Sequence, residues 1–409
     1  MKSFDVLLEQ YAELALRVGL NVREGQTLVV SAPIAAVDFV RQIARKAYEA
    51  GVWQVIVDWD DEELRRIKLL HAGDEALRQF PRWKADGYAE MARDDAAFLT
   101  VYAPNPELLE GIDSGKIALA ARTQMNAMKE HRANLQSGKV SWSIVSVPTP
   151  SWATKVFPEL TADEAVQKLW GYIFRATRLD QDNPVKAWED HIRRLQERVK
   201  LLNGKRYRKL HYEAPGTQLT VELPEEHLWV AGGIYNERGT FFVPNLPTEE
   251  VFTLPHKHGI NGKVTSTMPL NYNGNLIDRF TLTFERGRIV DFSAEQGYEA
   301  LKQLIETDEG SHFLGEVALV PHGSPISAMN VIFYNTGFDE NASAHLAIGS
   351  AYPLCVVNGT KMSKEQLAAA GANSSMTHVD FMIGSAELNI DGETAGGARE
   401  PLFRSGKWA

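Results

Sequence analysis

The stretch THVDFMIG, from Thr377 to Gly384, decides the fold that we predict for the second half of the chain. His378 and Asp380 alternate in it with Val379 and Phe381, which is the two-residue period of a β-strand. Residues i and i+2 of a strand project from one face, so the imidazole and the carboxylate stand side by side. On a rigid strand they form a preformed pair of metal ligands, and an ion pair on a solvated edge is the alternative.

A second string, GFDENASAHLAIGSAYP, runs from Gly337 to Pro353 and contains Glu340, His345 and Tyr352. Its first residues are turn formers, and the alanines and leucine that follow predict a helix. Carboxylates, imidazoles and a phenol within one short region are the mixture that a divalent metal site selects. For Glu340, the alternative is a charge that stabilises the N-terminal end of that helix.

Three further carboxylates come earlier in the chain. Glu249 and Glu250 stand at the start of the strand VFTLP, where adjacent residues face opposite ways. Only one of them can therefore enter a site, and the other is predicted to be solvated. Glu316 begins the apolar run VALV. A carboxylate that enters a buried strand needs a partner, for which a metal ion is suitable, and an edge glutamate facing water is the alternative.

These strings occur together with NLPTEEVFTLP, from Asn245 to Pro255, and GEVALVPHGSPI, from Gly315 to Ile326. The four motifs resemble the signature of the M29 metallopeptidases, the family of aminopeptidase T and aminopeptidase S, and the resemblance covers essentially the whole chain. It implies that Glu340 is a further metal ligand or the general base, and we predict the base. It also implies the remaining residues of the metal site, with the tyrosine as a ligand or as a donor to the transition state: Glu250, Glu316, His345, Tyr352, His378 and Asp380.

The residue types suit two divalent ions that share a bridging water, a centre that hydrolyses amides and would also suit phosphoesters. The resemblance implies a metal-dependent aminopeptidase that removes N-terminal residues from short peptides with Co²⁺, Zn²⁺ or Mg²⁺, and it implies a homodimer. One alternative is a dinuclear-metal hydrolase of another amide or ester. The other is a non-catalytic binding protein with a structural metal, although such a site would be rich in cysteine.

The first half of the chain alternates strands and helices. Apolar runs at residues 27–32, 52–58, 96–102 and 141–147 predict strands of an α/β domain with a mostly parallel sheet. No G-x-G-x-x-G follows the first strand, which argues against a dinucleotide site. From Tyr207 onward, short strands separated by turns predict an α+β domain with a mainly antiparallel sheet. We place the boundary near Asp182, which gives a scaffold domain over 1–182 and a metal-binding catalytic domain over 183–409.

Composition restricts the partners and the compartment. The 409 residues carry a net charge of −10, which argues against nucleic acid or an anionic membrane as a partner. The single cysteine, Cys355, excludes an intrachain disulfide, lacks an activating motif and fits a reducing cytoplasm. Asp5, Glu9 and Glu13 interrupt any signal-peptide core, and no apolar stretch is long enough to span a membrane. We therefore predict a cytoplasmic protein.

The other histidines have simpler explanations than metal binding. His256 and His258 form a second i, i+2 pair, but they lie in a turn and are predicted to be solvated. His71 and His131 lie among charged helical residues and are also predicted to be solvated. His322 is predicted either in solvent or at the mouth of a pocket.

Overall fold

The computed structural model describes residues 2–103, 105–272 and 275–409. It divides into two compact units, of which the first contains Met1–Asp190 and Gly233–Pro247. The second contains His191–Gly232 and Thr248–Ala409. The division of the chain into domains at residue 182 stays a prediction.

A four-stranded sheet organises the first unit, in the order β2-β1-β3-β4 with every neighbouring pair parallel. Helices alternate with the strands because parallel neighbours need crossover connections. The strands are β1 Thr27–Pro33, β2 Gln54–Asp60, β3 Ala97–Tyr102 and β4 Trp142–Ser146. The helices are α1 Phe4–Leu14, α2 Val37–Glu49, α3 Glu62–His71, α4 Asp74–Leu77, α5 Arg82–Arg93, α6 Ser114–Ala127, α7 Lys129–Gln136, α8 Pro150–Val156, α9 Ala162–Ala176 and α10 Pro184–Lys205, the last of which ends in the second unit.

The second unit contains a nine-stranded sheet whose neighbouring strands pair antiparallel. Its strands are β5 Lys209–Ala214, β6 Thr217–Glu222, β11 Ile260–Thr265, β12 Leu270–Tyr272, β13 Asn275–Glu285, β14 Arg288–Gln296, β18 Asn389–Glu393, β19 Arg399–Arg404 and β20 Lys407–Trp408. The shorter helices are α11 Tyr298–Ile305, α12 Thr336–Asp339 and α13 Lys364–Ala369, and a two-stranded sheet of β8 Ile234–Tyr235 and β9 Phe241–Phe242 belongs to the first unit. Together, these sheets confirm the predicted fold class, α/β followed by a mainly antiparallel α+β arrangement.

A five-stranded sheet with the order β17-β16-β15-β10-β7 completes the second unit, and its neighbouring strands also pair antiparallel. Its strands are β7 Val230–Ala231, β10 Val251–Thr253, β15 Leu314–Leu319, β16 His345–Gly349 and β17 His378–Met382. One face packs into the main hydrophobic core of the unit through Val317, Leu346 and Phe381, each at most 1% exposed. The other face is free to carry polar side chains.

The helix predicted after the turn at Gly337 is wrong, because residues 345–349 form the strand β16. Helix propensities differ among ordinary residues by at most about 0.7 kcal/mol each. Burial of Leu346 and Ile348 contributes about 1.5–3 kcal/mol apiece, and both are fully buried as strand residues. Gly349 ends this strand with φ +112°, and a Cβ there would lie 2.2 Å from the backbone oxygen of Thr377. Tertiary packing therefore outweighs the local preference of the alanines.

Candidate metal centre

Four of the predicted ligands lie on one face of the five-stranded sheet. Directly paired residues of antiparallel strands point to the same face. Glu316 pairs with Ala347, and Ala347 pairs with Asp380. His345 comes two residues before Ala347 on β16, and His378 comes two residues before Asp380 on β17, so both project from this same face. Because the strands are antiparallel, the two histidines lie on opposite sides of the row formed by Glu316, Ala347 and Asp380. The alternation of each strand thus sorts these polar side chains away from the core.

Small residues leave room above the middle of this face. Ala347 lies between Glu316 and Asp380, and Ala318 pairs with His345. Neighbouring strands are about 4.8 Å apart, so the two carboxylates can meet over the methyl group of the intervening alanine. A larger side chain at residue 347 would occupy the space between them.

Glu250 and Glu249 immediately precede β10 and have different partners. Glu250 Oε2 lies 3.1 Å from His345 Nε2, which brings this carboxylate to the face just described. Glu249 Oε2 lies 3.5 Å from His191 Nε2, and both residues are buried. The prediction that Glu249 is solvated is therefore wrong, since its carboxylate is paired with a buried histidine.

The side chains on this face form two groups of metal-binding atoms that share one carboxylate. One group is Glu250, Glu316 and His345, and the other is Glu316, His378 and Asp380; within each, the candidate donor atoms lie within 4.8 Å of one another. Glu316 Oε1 lies 3.6 Å from His345 Nε2, and Glu316 Oε2 lies 3.3 Å from His378 Nε2. One carboxylate oxygen of Glu316 thus faces each group.

Backbone carbonyls fix the orientation of both imidazoles. His345 Nδ1 lies 3.0 Å from the oxygen of Ser343, and His378 Nδ1 lies 2.7 Å from the oxygen of Ser350. A carbonyl oxygen can only accept, so Nδ1 carries the proton in each ring. Each Nε2 then faces the carboxylates, which is the arrangement found when a histidine ligates a metal through Nε2.

The charge balance of the face fits divalent cations. In the part of the chain that the structure describes, every ion pair made by Glu250, Glu316 and Asp380 is with a histidine. Asp380 Oδ1 is buried, lies 3.5 Å from His378 Nε2 and accepts no hydrogen bond from any described residue. A buried carboxylate oxygen without a donor is costly, and a cation would satisfy it. The donor set, oxygen and imidazole nitrogen without sulfur, suits zinc, cobalt or magnesium.

Known proteins resemble this chain over its whole length. A family model described as thermophilic metalloprotease (M29) matches residues 4–408. Aminopeptidase 2 of Geobacillus stearothermophilus is 54% identical over 409 residues, covering 100% of this chain and 99% of the relative. Aminopeptidase T of Thermus thermophilus is 44% identical over 408 residues, covering 100% of both chains. The solved structure of wild-type AmpT from Thermus thermophilus matches with a TM-score of 0.94 at 43% identity, again over 100% of both chains.

The chain belongs to the M29 metallopeptidase family. The family predicted from the four motifs is therefore confirmed, as is the predicted enzyme class, a hydrolase of the metallopeptidase type. Membership also supports a divalent metal as cofactor and peptides as substrates. Among the described residues, no helix combines the length and apolarity needed to cross a bilayer.

Two other predicted residues of this M29 chain lie at the edge of the donor groups. Glu340 follows α12 in a short 3₁₀ turn and is 9% exposed, but it belongs to neither group of donor atoms. Its charge nevertheless interacts with those of Asp380, Glu250 and His345. The ring of Tyr352 packs against that of His378 with 4.7 Å between centroids. These positions are compatible with a role beside the ligands.

Burial and charge crowding perturb the acids and bases of the site. Burial, with the negative charges of Asp380 and Glu250, raises the pKa of Glu340 well above its usual value. Burial lowers the pKa of His345, but the adjacent carboxylates of Glu250 and Glu316 outweigh it and raise that pKa well above the usual value. Burial raises the pKa of Asp380, but the positive charge of His378 outweighs this effect, so the pKa is lowered overall. Strongly shifted values that cluster in one place are typical of functional sites.

Tyr352 keeps its proton near neutral pH. The positive charge of His378 lowers the pKa of the phenol, but burial and the charges of Glu316 and Asp380 prevail, so the net shift is upward. The hydroxyl group can therefore donate a hydrogen bond within the site.

Several titratable residues lie away from the centre. His258 is exposed in its turn and His322 is exposed as well. The prediction that His131 is solvated is wrong: its ring packs 4.7 Å from that of Phe98, and burial lowers its pKa to about 4. Asp339 turns its carboxylate to the backbone N–H groups of Phe333 and Asn335 and so has a structural role.

Sequence reasoning missed the side chains that hold the ligand segments in place. Asn341 Oδ1 accepts the backbone N–H of Glu249 at 2.7 Å, next to the ligand Glu250. Asp308 accepts the backbone N–H of Met376 at 2.6 Å, two residues before His378. These are contacts between distant parts of the sequence, and the only local signal was that asparagine and aspartate favour turns.

Proposed function

We propose that this chain is an aminopeptidase that removes N-terminal residues from short peptides at a centre of two divalent metal ions. The observation that carries the proposal is the pair of donor groups that share Glu316. A shared carboxylate between two histidine-containing groups is suited to hold two ions close together with a water between them. The relatives named as aminopeptidases support the same reaction.

Each donor group would hold one ion. Glu250 and His345 would ligate the first, His378 and Asp380 the second, and Glu316 would contact both. When bound, such ions polarise a substrate carbonyl and make a water molecule more acidic. Co²⁺, Zn²⁺ and Mg²⁺ all match the oxygen and nitrogen donors, and we include all three in the proposal.

Glu340 is the proposed general base. Its carboxylate is buried beside the donor groups without belonging to them, and its raised pKa favours accepting a proton from the attacking water near neutral pH. It can then return that proton to the leaving amine. Tyr352, protonated and in contact with His378, would donate a hydrogen bond to the oxygen on which negative charge develops.

We further propose that the protein works as a homodimer in the cytoplasm. The single cysteine fits a reducing compartment. Sedimentation equilibrium of the purified protein tests the dimer, and a molecular mass of one chain at micromolar concentration would contradict it.

The test of activity uses aminoacyl-p-nitroanilides with chelated and metal-reloaded protein. We expect chelation to abolish hydrolysis and Co²⁺ or Zn²⁺ to restore it. Full activity of protein that elemental analysis shows to be metal-free would contradict the proposal. Pentapeptides with an acetylated N-terminus should resist cleavage, because an exopeptidase must bind the free α-amine. Equal cleavage of free and acetylated peptides would indicate an endopeptidase instead.

A further inference from the structure

A row of side chains crosses the five-stranded sheet and reaches the metal centre. The strand register makes Val230, Phe252, Ala318 and His345 successive neighbours on β7, β10, β15 and β16. Because paired residues of antiparallel strands share a face, Phe252 projects from the same side as the metal ligands. The alternation along β10 also places it on the side of Glu250, two residues earlier.

Phe252 combines an apolar ring with incomplete burial. Its neighbours Val251 and Thr253 are at most 1% exposed, whereas Phe252 itself is half-buried. The residue between it and His345 is Ala318, which is buried and has only a methyl group as its side chain. Two strand spacings separate Phe252 from His345, roughly 10 Å between their backbones. The ring therefore lies on the same face as the donor groups, two strands away, and part of it stays accessible.

Tyr352 extends this apolar surface to the second donor group. Its ring lies 6.0 Å from that of Phe252 at an interplanar angle of 66°, and 4.7 Å from that of His378. Buried Leu254 and Cys355 belong to the same apolar cluster and support the two rings. Phe252 and Tyr352 thus form a continuous aromatic wall beside the site.

We propose that Phe252 is a specificity-determining residue whose ring receives the side chain of the substrate's N-terminal residue. This inference rests on the proposed aminopeptidase function. Hydrolysis requires the scissile carbonyl at the donor groups, and the side chain of the N-terminal residue begins only two bonds from that carbonyl carbon. A leucine or phenylalanine side chain would then reach the aromatic wall and remove apolar surface from water. A charged side chain would lose its hydration there without a partner, so the wall favours large apolar N-terminal residues.

The test compares wild type, F252A and F252W on leucine, phenylalanine and alanine p-nitroanilides at saturating metal. We expect F252A to lower kcat/KM for leucine and phenylalanine by roughly 10–100-fold and for alanine by less than about threefold. F252W carries a larger ring, which should leave less room for a large N-terminal side chain and lower kcat/KM for phenylalanine more than for alanine. In both variants the loss of kcat/KM is expected to be larger for phenylalanine than for alanine. General damage to the site would instead lower kcat/KM for all three substrates equally.

A matched control is F292A. Phe292 is a half-buried phenylalanine of the same unit whose ring stacks on Tyr298 at 5.3 Å, but it lies on β14 of the other sheet. We expect F292A to keep the wild-type order of substrates. Metal content and calorimetric binding of free leucine and alanine give readouts besides turnover: F252A should retain its metal and lose affinity for leucine more than for alanine.

The outcomes separate this inference from the proposed function. A wild-type protein that hydrolyses none of the anilides with metal bound overturns the proposed function and, with it, the role of Phe252. An active wild type with a substrate order that F252A and F252W do not change overturns the role of Phe252 alone. Loss of metal from F252A would also overturn the role of Phe252 alone. So would a loss of kcat/KM in F252A that depends on the second residue in a series of dipeptides with a constant N-terminal leucine.

Discussion

Two polar clusters on sheets of this protein, one with a single carboxylate and the other with several, differ in how their negative charge is balanced. In the first unit, Asp58 on β2 lies 2.7 Å from Lys84 Nζ and accepts a hydrogen bond from the hydroxyl group of Tyr88 at 2.7 Å. That hydroxyl group is also 2.8 Å from Ser31 Oγ on the adjacent strand. The cluster satisfies its own charge and hydrogen bonds and needs no ligand.

The face of the five-stranded sheet has the opposite character. Four carboxylates, on Glu250, Glu316, Glu340 and Asp380, converge with two imidazoles, and in the described part of the chain they form no ion pair with lysine or arginine. Even with both imidazoles protonated, the carboxylates remain in excess. In these two clusters, the carboxylate with a lysine partner is structural, whereas the carboxylates without one fit a metal ion.

The largest expected effect comes from removing a donor of the second cluster. H378A should lose the ion held with Asp380, and its activity should fall to that of chelated wild-type protein, because no other described side chain replaces the imidazole. Metal stoichiometry and kcat, measured on the same samples, check this. The control is H258A, which removes an exposed histidine from the other i, i+2 pair, His256 and His258, and should change neither quantity. Unchanged metal content in H378A would contradict the ligand role.

Replacing the proposed base should affect rate without affecting metal. E340Q keeps the shape of the side chain but cannot accept a proton, so kcat should fall by roughly 10²–10⁴-fold while the metal content stays near that of wild type. Metal content and kcat of E340Q, measured together, decide whether Glu340 is the general base or a metal ligand. If E340Q loses an ion, and its activity returns at high added metal, then Glu340 is a ligand and the assigned base is wrong.

The excess of carboxylates also predicts how metal-free protein responds to pH. The pKa of Glu340 is raised above its usual value of 4.5, so the folded state binds this proton more tightly than the unfolded state. The resulting stabilisation is complete below the unfolded pKa and is lost as the pH rises through the folded pKa. Chelated wild type should therefore melt a few degrees below chelated E340Q at pH 8, and close to it at pH 4. If chelated wild type and chelated E340Q melted at the same temperature at both pH values, the charge of Glu340 would not destabilise the metal-free protein.

The smallest effect is expected at the Asp58 cluster of the first unit, where neighbouring side chains already balance the charge and the hydrogen bonds. D58N loses an ion pair whose side chains are 32% and 29% exposed, which contributes less than about 1 kcal/mol. Its amide oxygen can still accept from Tyr88. We expect a small decrease in melting temperature that is the same with and without chelator, and unchanged metal content. A loss of metal in D58N would remove the distinction between the two clusters.

The sequence by itself determined the local chemistry. The alternation around His378 and Asp380 places both on one face of β17, and the same rule for Glu249 and Glu250 sends only one carboxylate to the face with His345. The alternating strands and helices of the first half likewise predicted its parallel sheet. These features depend on the direction of successive side chains, which a short window of sequence contains.

Only the tertiary structure decided which segments meet. Residues 345–349 prefer a helix locally, but pairing with β15 and β17 makes them an interior strand of the sheet, which carries His345. The same pairing brings together Glu316, Ala347 and Asp380, and it places Phe252 in the row that leads to His345. Burial of His131 and Glu249 was missed for the same reason. Contacts between distant segments are settled by packing and register over the whole sheet, and these exceed the fractions of a kcal/mol by which local propensities differ.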